Sequence, residues 1–363
     1  MLKKVLALVL KSGARAAEPG EFTKRAFLNG KMDLAQAEAV IDLINSKTDE
    51  GSQAAASQLE GRLSGRIKSI RKKLIELIAH IEAVIDYPEH DIEEITGDRI
   101  YEGVSIVIKD IQMITEGYDK GRIIREGIRT AIIGKPNAGK SSLLNELAGS
   151  DRSIVTDIPG TTRDIIEEYI NIRGIPVKIL DTAGIRRTPD PVESIAKDAD
   201  LVIVVLNAGT GISPEDIEIL KSIEGKKKII VINKTDIAQG AETSKMKEQL
   251  NCLDMPESTP IVVASMIDGT GMDDLINEIE GLFLKGKLDF NNEVLITNAR
   301  HKQLMDMAID SLKSAQAAHK SGLPLDFVTI DIKESAESLG RITGESVSED
   351  VVREIFSRFC IGK

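Results

Sequence analysis

Residues 130–149, TAIIGKPNAGKSSLLNELAG, narrow what this chain can fold into more than any other stretch. A short β-branched run is followed at once by a glycine-spaced loop. The loop is followed by an amphipathic stretch that opens with two serines. This order requires a strand, a tight backbone turn and a helix start. From Gly134 to Ser141 the spacing fits G-x-x-x-x-G-K-[ST], the phosphate-binding P-loop pattern in the strand–loop–helix context that gives it meaning. Gly134 and Gly139 let backbone N–H groups wrap an anion. The stretch Asn137, Ala138, Gly139, Lys140, Ser141 and Ser142 would then line the phosphates. Lys140, a candidate catalytic residue, would place its cation on the β- and γ-phosphates, and the Ser141 hydroxyl would ligate Mg²⁺.

Beyond this segment, short apolar runs alternate with helical ones from about Arg129 to Phe283: YINIRGIPVKILD, DLVIVVLNA, KKIIVINK and PIVVAS. Such alternation predicts a mostly parallel sheet with helices on both faces. IRGIP reads as a hairpin turn, so one strand there is expected to be antiparallel. The flanks have helical periodicity. Leu63, Ile67, Ile70, Leu74, Leu77, Ile81 and Val84 form one apolar stripe, broken at Pro88, and a second stripe follows in Ile100–Ile114. After Asn298, residues Leu304, Met307, Ala308, Ser311 and Leu312 are expected to share one face. A short C-terminal helical piece could not bury its apolar face alone. The expected fold is therefore an α/β P-loop domain, residues 126–285, inserted into an all-α helical domain made of 33–125 and 286–363. Residues 1–32 stand apart.

Aromatic residues make up 3% and Trp is absent, so these cores must be built from Ile, Leu, Val, Ala and Met. The net charge of −11 argues against holding nucleic acid by bulk electrostatics. The basic runs RIKSIRKK (66–73) and EGKKK (224–228) read as solvated faces. Two cysteines, Cys252 and Cys360, fit a reducing cytosol rather than a disulfide framework. MLKKVLALVLKSGA is broken by Lys11 and continues without a cleavage site, so it reads as a helix and not a signal peptide. No run reaches the roughly 18 apolar residues of a membrane span. The terminal FCIGK is not a prenylation box, because Gly362 and Lys363 occupy its last two positions. The residues alone leave Cys360 between a packing role and a chemical one.

Further motifs follow the P-loop in order. DTAG, after a strand, offers Asp181 to hold Mg²⁺ through water. Its turn, Thr182, Ala183 and Gly184, brings an N–H toward the γ-phosphate. NKTD offers Asp236 to accept two hydrogen bonds from guanine N1–H and N2–H₂. Adenine lacks that donor pair and would leave a charge unpaired. Asn233 would fix the loop and reach N7, and the Lys234 stem would cover the base. The ligand is therefore expected to be GTP. DIPGTTRD lies where a first switch belongs, with Thr162 completing the Mg²⁺ shell and Thr161 beside it. VASMIDGTG stands where Ser-Ala-Lys is common in such proteins, leaving Ser265 to anchor the base loop.

Taken together, AEPGEFTKRAFLNGKMDLAQAEAV, GKPNAGKSSLLN, IVTDIPGTTRD, DTAGIR, NKTD and FSRFCIGK resemble the MnmE (TrmE) tRNA-modification GTPases over nearly the whole chain. The resemblance implies potassium-dependent GTP hydrolysis driven by G-domain dimerisation. It implies Asn137 as a potassium ligand, with Thr156, Ile158 and Thr161 of the 156–161 loop completing the site. It implies Glu193 as the catalytic carboxylate acting on water, in place of the glutamine that is absent after DTAG. It also implies modification of the wobble uridine at C5 of certain tRNAs, with the flavin-dependent partner MnmG and 5-formyl- or methylene-tetrahydrofolate as one-carbon source. Lys31 and Lys363 would touch the folate, and Cys360 would sit near the one-carbon centre. On this reading residues 1–32 are the last stretch of a folate-binding domain. The tract after Glu193 is shorter than the family's second switch. A ribosome-assembly GTPase of the Era or Der kind is the alternative, though no GXXG clamp or basic extension accompanies the motifs.

Overall fold

The computed structural model describes residues 1–86, 93–149, 153–155, 168–180, 196–238, 240–253, 255–256, 258–283 and 294–359. The chain begins with helices α1 (Leu2–Lys11), α2 (Glu21–Leu28), α3 (Leu34–Asn45), α4 (Asp49–Leu59), α5 (Arg62–Asp86), α6 (Glu93–Thr115) and α7 (Tyr118–Glu126). There follow β1 (Ile128–Ile133), α8 (Lys140–Ala148), β2 (Ser153–Val155), β3 (Glu168–Ile172), β4 (Ile175–Ile179), β5 (Leu201–Asn207) and α9 (Pro214–Ser222). Then come β6 (Lys228–Asn233), α10 (Gly240–Asn251), β7 (Ile261–Val263) and α11 (Met272–Phe283). The chain closes with α12 (Ala299–Lys320), α13 (Leu325–Thr343) and α14 (Glu349–Ser357). Two compact units result. One joins Met1–Ser46, Gly51–Arg122 and Phe290–Lys363; the other holds Lys47–Glu50 and Ile123–Asp289.

The helical unit is built from both sides of the insertion. Leu63, Ile67, Ile70, Leu74 and Ile81 of the α5 stripe are fully buried, as periodicity alone requires. They share one core with Ile100, Val104 and Ile111 of α6, Met305, Ala308 and Leu312 of α12, and Val328, Ile332 and Leu339 of α13. On α12 the buried face is His301, Met305, Ala308, Ile309, Leu312 and Ala315. This differs from the expected face at two positions. Met307 is exposed and Ser311 is half-buried. The true stripe steps 301, 305, 308, 312, 315, and Met307 falls one residue off it.

Polar contacts fix the register. Asp33 caps α3 reciprocally with Gln36, each backbone N–H donating to the other's side chain at 3.0 Å. Gln58 donates to Leu295 O and Thr297 Oγ1, both at 3.0 Å, tying α4 to the chain re-entering the helical unit. Glu38 of α3 is buried and receives Arg300 bidentately, at 3.0 and 2.6 Å, and His301 Nε2 at 2.7 Å. Arg300 also donates to Arg341 O and Ile342 O at the end of α13. Burial alone would raise the Glu38 carboxyl. The bond and charge from His301, then those from Arg300, outweigh it and hold the group at about 2.

The α/β unit carries a seven-stranded sheet in the order β2-β3-β4-β1-β5-β6-β7. β4, β1, β5, β6 and β7 pair in parallel, and β3 runs antiparallel to both its neighbours. The reversal is made by Arg173 and Gly174, both left-handed at φ 48° and 87°, the two-residue turn that suits strand twist. β6 is buried throughout and β5 from Leu201 to Leu206, as central parallel strands require. Ile203 and Val205 face a core with Leu143 of α8 and Leu275 and Ile279 of α11. Val202 and Val204 face the opposite core, with Leu220 of α9 and Met246 and Leu250 of α10.

Replacing Glu38 by Gln leaves the half-buried Arg300 guanidinium without its anion, and a broken buried pair costs about 3–5 kcal/mol. Because the folded carboxyl is depressed, its contribution is complete above the ordinary value of 4.5 and is lost as pH falls toward about 2. Urea unfolding should therefore show a large loss for Glu38→Gln at pH 7 and a smaller gap between variant and native at pH 3. Equal stability at pH 7 would contradict the assignment.

Candidate nucleotide site

The parallel strands β1, β5, β6 and β7 end on one edge of the sheet, and the loops leaving β1, β6 and β7 converge there. The first is the glycine loop. Asn137 adopts φ 61° and Gly139 φ 105°, turning the chain into α8. A Cβ at Gly139 would lie 2.0 Å from Asn233 Nδ2, so only glycine fits. α8 starts at Lys140 with no side-chain cap on Gly139, which leaves its first-turn N–H groups for an anion. Lys140 Nζ donates to Gly134 O and Lys135 O, both at 2.8 Å, so the ammonium is held inside its own loop. Burial lowers it from the usual lysine value. The Asn137, Ser141 and Ser142 side chains are exposed beside it, and Ala138 is buried.

Asn233, at the end of β6, is 2% exposed. Its Nδ2 donates to Ala138 O at 2.9 Å, and its Oδ1 accepts from Met266 N at 3.2 Å. One side chain thus ties the phosphate loop to both base loops. Lys234 follows in the left-handed region at φ 65°. Thr235 Oγ1 donates to Ala264 O at 3.1 Å. Buried Ser265 donates from Oγ to Asp236 Oδ1 at 3.0 Å, orienting a carboxylate that is itself exposed. Such a carboxylate can accept paired N–H donors from a ring edge.

The structure thus brings together Asn137, Ala138, Gly139, Lys140, Ser141, Ser142, Asn233, Lys234, Asp236 and Ser265. Lys31 belongs to the helical unit, exposed at the turn after α2, where its N–H donates to Ala26 O at 2.9 Å. Thr156, Ile158, Thr161, Thr162, Asp181, Thr182, Ala183, Gly184, Glu193, Cys360 and Lys363 lie outside the described residues. The basic runs are engaged within the protein. Arg66 and Lys73 pair with Asp110, Lys68 with Asp33, and Arg71 with Glu345. Lys226 donates to Lys197 O at 2.7 Å. Sequence reasoning missed Lys135, whose Nζ donates to Ser213 Oγ at 2.8 Å. The Ser213-x-x-Asp216 spacing, a capping signature, was the available signal.

The chain matches the family model of the MnmE helical domain over residues 34–360 and that of the GTP-binding protein TrmE N-terminus over residues 1–31. The tRNA modification GTPase MnmE of Acetivibrio thermocellus is 55% identical over 371 residues, covering 100% of this chain and 80% of that protein. The chain belongs to the MnmE family. The MnmE of Clostridioides difficile is 47% identical over 370 residues, covering 100% of this chain and 79% of that protein. Among solved structures, the G domain of the T. maritima FeoB iron transporter is 28% identical, covers 42% of this chain and 97% of that chain, and has a TM-score of 0.30. Like a P-loop GTPase, this MnmE-family chain has a mostly parallel sheet flanked by helices. Among the described residues no helix is long and apolar enough to cross a membrane.

If Asp236 reads the guanine edge, Asp236→Asn should weaken GTP by about 10²-fold or more and admit xanthosine triphosphate, whose C2 carbonyl accepts instead of donating. Competition against labelled GDP measures both. No gain for the xanthine nucleotide would contradict the assignment.

Proposed function

We propose that this chain binds GTP with Mg²⁺ in the site above and hydrolyses it in a potassium-dependent way to drive modification of the wobble uridine of certain tRNAs at C5. The observation that carries the nucleotide part is the Asn233 amide, which holds the phosphate loop and the guanine-reading loop in one rigid arrangement. Lys140 and the open first turn of α8 supply the positive field for the phosphates, and Ser141 a hydroxyl for Mg²⁺, with Thr162 and Asp181 as its other candidate partners. Asn137, with Thr156, Ile158 and Thr161, would hold potassium where charge develops between the β- and γ-phosphates. Thr182, Ala183 and Gly184 would sense the γ-phosphate, and Glu193 would orient the attacking water.

The same proposal assigns residues 1–32 to a folate-binding domain, 33–125 and 286–363 to the helical domain and 126–285 to the G domain. G domains of two copies associate during hydrolysis, MnmG is the flavin-dependent partner, and a tetrahydrofolate supplies the one-carbon unit. The Cys360 tail would serve that chemistry, with Lys31 and Lys363 toward the folate. Packing near the tail supports this. Phe359, the residue before Cys360, lies against Gly20, where an added Cβ would come within 2.9 Å of it. Phe359 stacks with Phe356 at 5.1 Å, and Phe356 meets Phe27 at 6.3 Å. The chain entering the tail is therefore fastened to the segment that matches the TrmE N-terminus. The acidic balance and the internally paired basic runs favour this reading over a GTPase that grips RNA through an appended basic module.

One set of assays tests it: GTP turnover in potassium and in sodium, alongside nucleoside analysis of modified tRNA. Sodium or Asn137→Ala should depress stimulated turnover with nucleotide affinity nearly retained. Glu193→Ala should depress it by about 10²-fold or more. Cys360→Ser should keep turnover and lose modification. Equal rates in the two salts, or modification surviving Cys360→Ser, would remove the corresponding part of the proposal.

A further inference from the structure

Within the phosphate loop, Lys135 occupies a position that the loop pattern leaves open, yet its side chain is anchored on a different crossover segment. Its Nζ donates to Ser213 Oγ at 2.8 Å and lies 3.5 Å from Asp216 Oδ2. Ser213 and Asp216 form the capping box of α9. Asp216 N donates to Ser213 Oγ at 3.3 Å, and Ser213 N donates to Asp216 Oδ2 at 2.9 Å. The Ser213 hydroxyl also donates to the same carboxylate oxygen at 2.8 Å, which leaves its lone pairs for Lys135. A capping box is complete without a third residue. Here the Asp216 side chain is only 4% exposed, so a buried charge is compensated by a cation from the phosphate loop. α9 is in turn pinned to the sheet by Leu220.

The other end of Lys135 meets the nucleotide machinery. Its carbonyl and that of Gly134 are the two acceptors that hold Lys140 Nζ. A rigid lever therefore runs from the buried Asp216 through the Lys135 side chain to the backbone that positions Lys140. We propose that Lys135, locked onto Ser213 and Asp216, is a positioning residue for the phosphate cradle and sets its affinity for the triphosphate. The inference rests on the reading of this loop as a GTP site. Its physical basis is preorganisation: a loop already fixed in its wrapping conformation loses less freedom when the phosphates arrive. Anchoring before binding is felt equally in the ground and transition states, so its loss falls on KM and not on kcat.

The test is equilibrium binding of a fluorescent methylanthraniloyl GTP to the full chain, with steady-state GTP turnover and thermal melting of the same samples. Lys135→Met should weaken binding by about tenfold and raise KM to match, with turnover at saturating GTP within about twofold of native. Lys135→Arg should restore most of the affinity. Asp216→Asn, which leaves the Lys135 charge in place, should weaken binding by a similar factor. The double variant Lys135→Met with Asp216→Asn should be no weaker than either alone, because the two act as one unit. Native affinity in Lys135→Met with only a lowered melting point would overturn the proposal and leave a structural ion pair. Native affinity in Asp216→Asn with weakened Lys135→Met would also overturn it, because the lysine would then be touching the nucleotide itself. Failure of the unsubstituted chain to bind the fluorescent GTP would overturn the nucleotide reading, and this inference with it.

Discussion

The buried amide of Asn233 is the interaction on which the nucleotide site depends. An amide inside a protein must satisfy both its ends or lose free energy. Asn233 does so by donating to the phosphate loop at Ala138 and accepting from the base loop at Met266. Those partners belong to different crossover segments of the sheet, so satisfying one side chain fixes three loops at once. Gly139 is the counterpart of this constraint, since any side chain there would enter the space the amide occupies. Ser265 extends the brace to Asp236 and sets the direction of the carboxylate.

The sheet makes such a brace possible. β1, β5, β6 and β7 are parallel, and their two faces are covered by separate apolar cores. Their carboxyl ends therefore form a rigid edge, with loops free to carry polar chemistry. The helical unit solves a different problem. Its core needs α5 and α6 from before the insertion and α12 and α13 from after it. Glu38, Arg300 and Gln58 join partners more than two hundred residues apart. The insertion thus interrupts the chain without dividing the core.

How far each feature was legible in the sequence follows from the range of the interactions behind it. The phosphate loop, the α5 stripe and the antiparallel β3 are written in local spacing, and local spacing decides them. The face of α12 was misread at Met307 and Ser311 because one apolar residue beside a true stripe fits the period nearly as well as the stripe itself. The Glu38–Arg300–His301 cluster was invisible, since each residue reads locally as an ordinary polar position on a helix. Lys135 and Asp216, 81 positions apart in number, were hidden in the same way, although the capping pattern at Ser213 marked one end. Cys360, Glu193 and the switch residues are the reverse case. The roles proposed for them rest on family likeness, because no local pattern distinguishes them from solvated or packing residues.

The braced loops of β1, β6 and β7 suit a guanine nucleotide. Isothermal titration of the full chain with GTP and with ATP, under identical Mg²⁺ and salt, tests it most directly. A site whose aspartate requires two adjacent ring-edge donors should bind GTP at least about 10²-fold more tightly than ATP. Equal affinities for the two nucleotides would contradict guanine selection by Asp236.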